Sequence, residues 1–320
     1  MSDRFFFVSC SPGSLSFFKT FCGYPMFSNF NISSRGRVYS LAPALLIFLF
    51  LALLPIANLF LTSFFDVSWK DGEKVTSWVG LSNFAAMPGD PLFVAGIKNT
   101  LILVVTATSA QVFLGLILAL LCSKIGKQSQ TYRALLILPI LIPGIVIGAI
   151  WRLMYNSEFG IINTILEFVG IPGHDWLGST YTALASVIVV DIWHWTPFSF
   201  LLLLAAIESL PSDVSEAAKV DGATSWQELW YITLPLLMPA IVMTFLFRAV
   251  IAFKVFDEVY LLTSGGPGTS TEVISFTIFQ RFFLQDKVGY GSAISVSLVF
   301  FVSIVIVIAL NARKEKEMTQ

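Results

Sequence analysis

The sequence predicts an all-α, polytopic membrane protein with six transmembrane helices, and three observations carry that prediction. Of its 320 residues, 56% are hydrophobic and only 12% are charged, whereas a soluble domain carries about 25% charged residues. The mean hydropathy is +0.81. Long apolar stretches recur along the chain, and a membrane-spanning helix needs about 20 such residues. Soluble, disordered and fibrous classes are therefore excluded.

Six stretches of the chain reach spanning length. Three of them contain no Asp, Glu, Lys or Arg, and they are 41–65, 99–123 and 288–312. The other three contain one or more ionisable residues, and they are 134–155, 181–207 and 236–263. These six stretches are the predicted transmembrane helices.

The third span, 134–155, is expected to bend near its middle. Pro139 and Pro143 each remove a backbone hydrogen-bond donor, and Gly144 and Gly148 follow closely. Proline and glycine are the usual causes of a kink in a membrane helix. A bent third span is therefore predicted.

Lysine and arginine in the loops predict the orientation, because cytoplasmic loops carry the excess of these residues. With six spans, the side that holds both termini receives eleven Lys and Arg residues, and the opposite side receives five. Both termini are therefore expected in the cytoplasm. Residues 1–34 are expected to form a cytoplasmic extension that does not span, because Pro and Gly interrupt its apolar windows. The membrane domain is then 35–312, and 313–320 is a cytoplasmic tail.

The segment 208–235, between the fourth and fifth spans, is cytoplasmic in this topology and rich in acidic residues. Ser212 predicts the start of a short helix, and Gly222 predicts its end, with a positive φ angle. Ser225 and Glu228 have the spacing of a capping box, which would open a second short helix. A compact helix–glycine–helix segment suits docking into a groove of another protein, although a plain amphipathic surface helix has a similar pattern.

The 208–235 segment contains a specific six-residue pattern. It consists of Glu216, Ala217, Ala218, Asp221, Gly222 and Ala223. This pattern closely resembles the "EAA" loop in the membrane subunits of ABC importers. Further text at 195–198, 256–260, 262–268 and 290–293 resembles the maltose and glycerol-phosphate permease group, and the resemblance covers about residues 38–312.

The resemblance implies a permease subunit of an ATP-driven importer in a bacterial or archaeal cytoplasmic membrane. It implies four kinds of partner besides the lipid bilayer: a second homologous permease, two ATP-binding cassette subunits, an extracytoplasmic solute-binding protein, and a sugar such as maltose or trehalose. The six-residue pattern would then contact the ATPase. Import of glycerol 3-phosphate or another polyol through the same scaffold remains an alternative.

The sequence assigns no catalytic residue and no bound cofactor to this chain. It contains no Gly-x-x-x-x-Gly-Lys-[Ser/Thr] phosphate-binding loop, so ATP hydrolysis is expected on the partner subunits. Its three cysteines and two histidines lack metal-ligand spacing, so no metal site is expected. The sequence contains no stripe of basic residues, so it gives no indication of nucleic-acid binding. An intramembrane enzyme would need a metal-binding or nucleophile motif, and the sequence contains none. A stand-alone ion-coupled transporter would show internal repeats, and none is seen in the sequence.

Ionisable and aromatic residues inside the spans are the candidates for the substrate path, because such residues usually face a cavity or a partner. The candidates are Asp191, Trp193, Trp195, Lys254 and Asp257. Asp191 and Trp195 are four residues apart and share a helix face, where a carboxylate and a ring can contact a sugar. Two structural alternatives remain: an interfacial aromatic belt for the tryptophans, and an ion pair between Lys254 and Asp257 or Glu258.

Overall fold

The computed structural model describes residues 34–70, 73–125 and 129–318. The predicted extension at 1–34 lies outside these residues, apart from Ser34. The chain divides into two compact units, of which the first ends at Ile56 and the second begins at Ala57. In the described residues the fold is helical with a single two-stranded hairpin, which confirms the predicted all-α class.

The first helix, α1, comprises Ser34–Thr62, and a β-hairpin follows it. The strands β1 (Phe65–Lys70) and β2 (Glu73–Trp78) pair antiparallel, with Phe65 opposite Trp78. The predicted first span, 41–65, was three residues too long at its end, and the hairpin was not predicted. The side-chain amide of Asn83 donates to the carbonyls of Ser63 and Phe65 at 2.9 and 3.0 Å, and thereby fixes the turn between helix and hairpin.

The remaining helices follow in chain order: α2 (Ser82–Ala86), α3 (Pro91–Ile125), α4 (Ser129–Leu141), α5 (Gly144–Met154), α6 (Ile161–Phe168), α7 (Ala183–Glu208), α8 (Ser212–Val220), α9 (Ser225–Glu228), α10 (Leu234–Ala252), α11 (Asp257–Leu262), α12 (Ile274–Phe279) and α13 (Val288–Met318). A 3₁₀ turn (Met87–Gly89) precedes α3. Two π-helical turns, Leu229–Thr233 and Gln280–Leu284, extend α9 and α12. The helix α13 continues through most of the predicted tail.

Five helices of the described chain are long and apolar enough to cross a membrane, and a sixth span results when the bent pair α4–α5 counts as one. The two halves of this pair meet at an angle of 93°. The break falls at Ile142 and Pro143. The φ and ψ angles of Pro143, −58° and 139°, are not helical. The bend predicted from proline is therefore present, whereas Pro139 lies within α4 without ending it.

The fifth span is shorter than predicted. The sequence predicted 236–263, but α10 ends at Ala252 and the backbone is not helical again until α11 begins at Asp257. Lys254 therefore lies in the break, and Asp257 starts a new helix. Lys254 and Asp257 therefore do not lie on one continuous helix, and the rule that residues three or four apart share a helix face does not apply to them.

The core of the second unit is centred on α3 and α7, which pack along most of their lengths. Buried apolar residues from both helices form it, among them Leu103, Ala107, Val187 and Val190. At Gly115 an added Cβ would lie 2.8 Å from the backbone nitrogen of Phe200. A small residue is needed there because it lets the two helices approach closely.

Candidate functional site

A cavity of about 530 Å³ lies where the bent pair α4–α5 meets α7, the end of α10 and α11. Its polar and aromatic lining comprises Asp191, His194, Trp195, Arg248, Lys254, Phe256, Asp257 and Glu258. Four of the five predicted path residues therefore line one cavity. The bend at Pro143 contributes to this arrangement, because Pro143 and Gly144 form part of the wall.

The cavity wall contains an ion pair between α7 and α10. Arg248 Nη2 donates to Asp191 Oδ2 at 2.5 Å, and the two side chains are 0% and 1% exposed. Gln111 of α3 donates to the same carboxylate at 2.9 Å and to the Asp191 carbonyl at 2.8 Å. The guanidinium carbon of Arg248 lies 4.9 Å from the Trp195 ring centroid. Three helices are thus joined by one polar network, which local sequence spacing could not reveal because its members are far apart in the chain.

Several polar atoms of this network lack a partner within the described chain. They are Asp191 Oδ1, Gln111 Oε1, and Arg248 Nε and Nη1. Buried polar atoms are almost always hydrogen-bonded in folded proteins. Asp191 and Arg248 both line the cavity, but these unpartnered atoms are themselves buried, and the exposed charged groups of the lining belong to Lys254 and Asp257.

A second polar pair also lies in the cavity lining. His194 Nδ1 lies 2.9 Å from Glu258 Oε1, and both side chains are buried. This pair joins α7 to α11. The prediction that Lys254 pairs with Asp257 or Glu258 is wrong for the described residues, because Glu258 pairs with His194 and Lys254 makes no ion pair among them. Both Lys254 and Asp257 are exposed to the cavity.

Trp193 lies away from this cavity. Its ring is 41% exposed and packs edge-to-face against Trp151 at a centroid distance of 5.6 Å. Two residues along an α-helix are separated by about 200° around its axis, so Trp193 and Trp195 occupy nearly opposite faces of α7. Trp193 lines a separate, apolar groove instead.

The 208–235 segment contains the predicted helix–glycine–helix arrangement. Gly222 has a φ of +78°, as predicted. The predicted capping box of Ser225 and Glu228 is wrong by one residue: Thr224 is the N-cap, and its backbone N–H donates to Gln227 Oε1 at 2.8 Å. Glu228 instead accepts a hydrogen bond from Ser215 Oγ at 2.5 Å, which links the two short helices.

The six-residue pattern is mostly open to solvent. Glu216, Ala217, Asp221 and Gly222 are exposed, Ala223 is half-buried, and Ala218 is buried against the rest of the protein. The outward face of α8 also carries Val220, which is 88% exposed. This face is therefore available for a contact with another protein.

Comparison with known proteins places the chain among transporter membrane subunits. Residues 111–320 match the family described as "Binding-protein-dependent transport system inner membrane component". The chain is 35% identical to the sulfoquinovosyl glycerol transport permease SmoG of Agrobacterium fabrum, over 81% of this chain and 84% of that protein. It is also 35% identical to the trehalose/maltose transport permease MalF of Thermococcus litoralis, over 79% and 85% of the two chains.

The fold is shared with a solved importer structure. A bacterial ABC transporter for the import of alginate superposes with a TM-score of 0.76 at 23% identity, covering 87% of this chain and 96% of that chain. At an identity below 25%, this similarity shows that the fold is shared and nothing more.

Proposed function

Because the chain belongs to the family of inner membrane components of binding-protein-dependent transport systems, we propose that it carries one half of a carbohydrate translocation path. It is a multi-pass permease and not an ATP-hydrolysing enzyme. The relatives that transport trehalose and maltose and arabinooligosaccharides support a sugar as the substrate class. The proposed partners are a second permease, two ATP-binding cassette subunits that hydrolyse ATP, and an extracytoplasmic solute-binding protein.

The observation that carries the proposal is the cavity lined by Asp191, Trp195, Lys254 and Asp257. A sugar presents hydroxyl groups, which both donate and accept hydrogen bonds, and apolar C–H faces. The cavity supplies the exposed ammonium of Lys254 and the exposed carboxylate of Asp257, together with the ring of Trp195. A concave site with a few convergent polar groups is the usual form of a small-molecule site.

The charges of the lining favour an uncharged sugar over glycerol 3-phosphate. Two of the lining carboxylates are already paired, Asp191 with Arg248 and Glu258 with His194. The charged groups exposed to the cavity are then one cation, Lys254, and one carboxylate, Asp257. An anionic substrate would meet no excess of positive charge in this lining. We therefore expect maltose or trehalose, rather than glycerol 3-phosphate, to compete for uptake.

The 208–235 segment is the proposed contact with the ATPase subunits, through Glu216, Ala217, Asp221 and Gly222. It connects directly to α7 and α10, and these two helices carry the Asp191–Arg248 pair. A displacement of the segment would therefore reach the cavity wall through these two helices, and shifts of helices are a common form of conformational switching. The proposed orientation puts this segment, both termini and the 313–320 tail in the cytoplasm, with 35–312 as the membrane domain.

Substitution of the two neighbouring tryptophans tests the substrate path. Trp195→Ala removes a ring from the cavity, and we expect roughly tenfold lower sugar uptake per assembled complex, equivalent to about 1.4 kcal/mol of lost contact. Trp193→Ala is the matched control, because it removes the same side chain from the opposite face of α7. Basal ATP hydrolysis by the complex should persist in both variants.

The readout is uptake into vesicles, normalised to the amount of assembled complex. An unchanged normalised rate in Trp195→Ala, with less complex assembled, would assign this residue a structural role and contradict the proposal. Equal losses in both variants would contradict it as well. Uptake competition with glycerol 3-phosphate, run in the same vesicles, decides between the two substrate classes.

A further inference from the structure

A second cavity, of about 440 Å³, lies on the inner side of the 208–235 segment. It is enclosed by α8 and α9 on one side and by the ends of α3, α7 and α10 on the other. Ser212, Ser215 and Lys219 of α8 line it, and they lie three or four residues apart on one helix face. Glu216 and Ala217 do not line the cavity. The cavity lining and the proposed ATPase contact therefore have no residue in common.

The charged groups of this second cavity favour an anion. Lys124, in the last turn of α3, and Lys219, in the last turn of α8, both line it. Neither lysine makes an ion pair within the part of the chain that the structure describes. The lining contains one carboxylate, Glu228, and that group is already held by Ser215 at 2.5 Å. Two cations thus stand against one engaged carboxylate.

Phosphate is the anion whose chemistry fits this lining. Lysine ammonium groups bind phosphate as point charges, and the hydroxyl of Ser225, which also lines the cavity, can add a directed hydrogen bond. The openings between membrane helices at the cytoplasmic side are known positions for anionic lipid headgroups when they are basic. A phosphate could also arrive as a free ion, so the two sources have to be separated by experiment.

Aromatic residues beside the cavity indicate the depth at which it lies. Three aromatic residues are largely exposed: Trp226 (67%), Trp230 (52%) and Tyr231 (80%). The centroids of the two tryptophan rings lie 5.6 Å apart. Tryptophan and tyrosine are enriched where the membrane meets water. Their position on α9 and the π-helical turn after it favours a cavity at the level of the lipid headgroups.

We propose that this second cavity binds the phosphate group of an anionic phospholipid, with Lys124 and Lys219 as its cationic ligands. The lipid would hold the segment against the end of α3, so that the position of α8 depends on membrane composition. This site is independent of the sugar path, because it shares no lining residue with the first cavity.

The test uses the assembled importer in nanodiscs of phosphatidylcholine with increasing phosphatidylglycerol, and measures bound phosphatidylglycerol by native mass spectrometry. The double variant Lys124→Gln with Lys219→Gln should bind this lipid roughly 30-fold more weakly, since each lysine near an anionic lipid contributes about 1 kcal/mol. Lys124→Arg with Lys219→Arg should retain binding. Lys98→Gln is the control, an exposed lysine about 39 Å away along α3.

The outcomes separate the alternatives. Equal phosphatidylglycerol binding by the wild type and the double glutamine variant overturns the proposal. Displacement of the lipid by inorganic phosphate at the same concentration indicates a free anion and overturns the assignment to lipid. Should the double variant fail to assemble, the two single glutamine variants decide, because each removes one cation, and unchanged binding in both rejects the site.

Discussion

At the scale of single residues, the Asp191–Arg248 pair has the largest energetic consequence. Both side chains are almost fully buried, and their atoms lie 2.5 Å apart. Removing one partner of such a pair leaves an uncompensated charge in a medium of low polarity, whereas replacing both by apolar residues of similar size can be nearly neutral. The i,i+4 spacing of Asp191 and Trp195 suggested a substrate-facing stripe, but spacing alone could not identify Arg248, which comes from another helix.

Arg248→Met alone should therefore destabilise the protein by about 3–5 kcal/mol. Asp191→Leu combined with Arg248→Met should cost much less, because no buried charge is left without a partner. The measurement is thermal unfolding of the detergent-solubilised complex, with the two single variants and the double variant compared as a cycle. Additive effects of the two substitutions would contradict a direct pair.

A second residue, Glu272, makes stability depend on pH. It is 1% exposed in the loop before α12, and it accepts a hydrogen bond from Thr277 Oγ1 at 2.7 Å. Burial raises the pKa of this carboxyl from 4.5 to about 7. The folded protein therefore keeps a proton at pH values where the unfolded chain has released it. This contribution to stability is complete below about pH 4.5 and is lost as the pH rises through about 7.

Glu272→Gln should accordingly raise the unfolding temperature above pH 7 and change it little near pH 4.5. The amide keeps an acceptor for Thr277 but cannot ionise. Unfolding curves measured from pH 4.5 to pH 9 check this expectation, with the exposed Glu158→Gln as the control variant. A constant difference at every pH would refute the role of ionisation.

At the scale of elements, the turn at Gly222 sets the angle between α8 and α9. Its φ of +78° lies in the left-handed region, and an added Cβ would meet no atom within 4 Å. The requirement for glycine is therefore conformational and not steric. For most other residues, this backbone conformation costs roughly 1–2 kcal/mol, whereas asparagine adopts it more readily.

Gly222→Val should reduce both sugar uptake and the stimulation of ATP hydrolysis by loaded binding protein. Gly222→Asn should preserve most of both activities. Membrane insertion should be equal in the two variants, because the spans are unchanged. Full activity of Gly222→Val would show that the angle between the two short helices does not matter for transport.

Elements with a local cause were predicted well from sequence. Apolar stretches predicted the spans, and Pro143 predicted the 93° bend. The end of α10 at Ala252 was missed, because no proline or glycine marks it and tertiary contacts such as His194–Glu258 hold the break. The hairpin β1–β2 was missed because its alternating pattern is short. The capping box was displaced by one residue, since Thr224 and Ser225 are both good N-caps.

At the scale of the whole molecule, the topology can be tested with single cysteines. Thr180, before α7, should lie outside the cell, and Ser212, at the start of α8, should lie inside. In a variant without Cys10, Cys22 and Cys122, an impermeant thiol reagent should label Thr180→Cys in intact cells but Ser212→Cys only after lysis. Labelling of Ser212→Cys in intact cells would contradict this topology: with Thr180→Cys also labelled it would mean an incorrect number of spans, and with Thr180→Cys protected it would mean the opposite orientation.

The position of the Asp191–Arg248 pair along its two helices determines how a displacement at the segment compares with a displacement at the cavity. Asp191 is about 26 Å from the end of α7 at Glu208, and Arg248 is about 21 Å from the start of α10 at Leu234, at 1.5 Å per residue. For a tilt of α7 by about 10° about the pair, the end of α7 at Glu208 would move by about 4.5 Å. The nearby His194–Glu258 contact would move far less. In such a motion, a large displacement of the segment would correspond to a small displacement at the cavity.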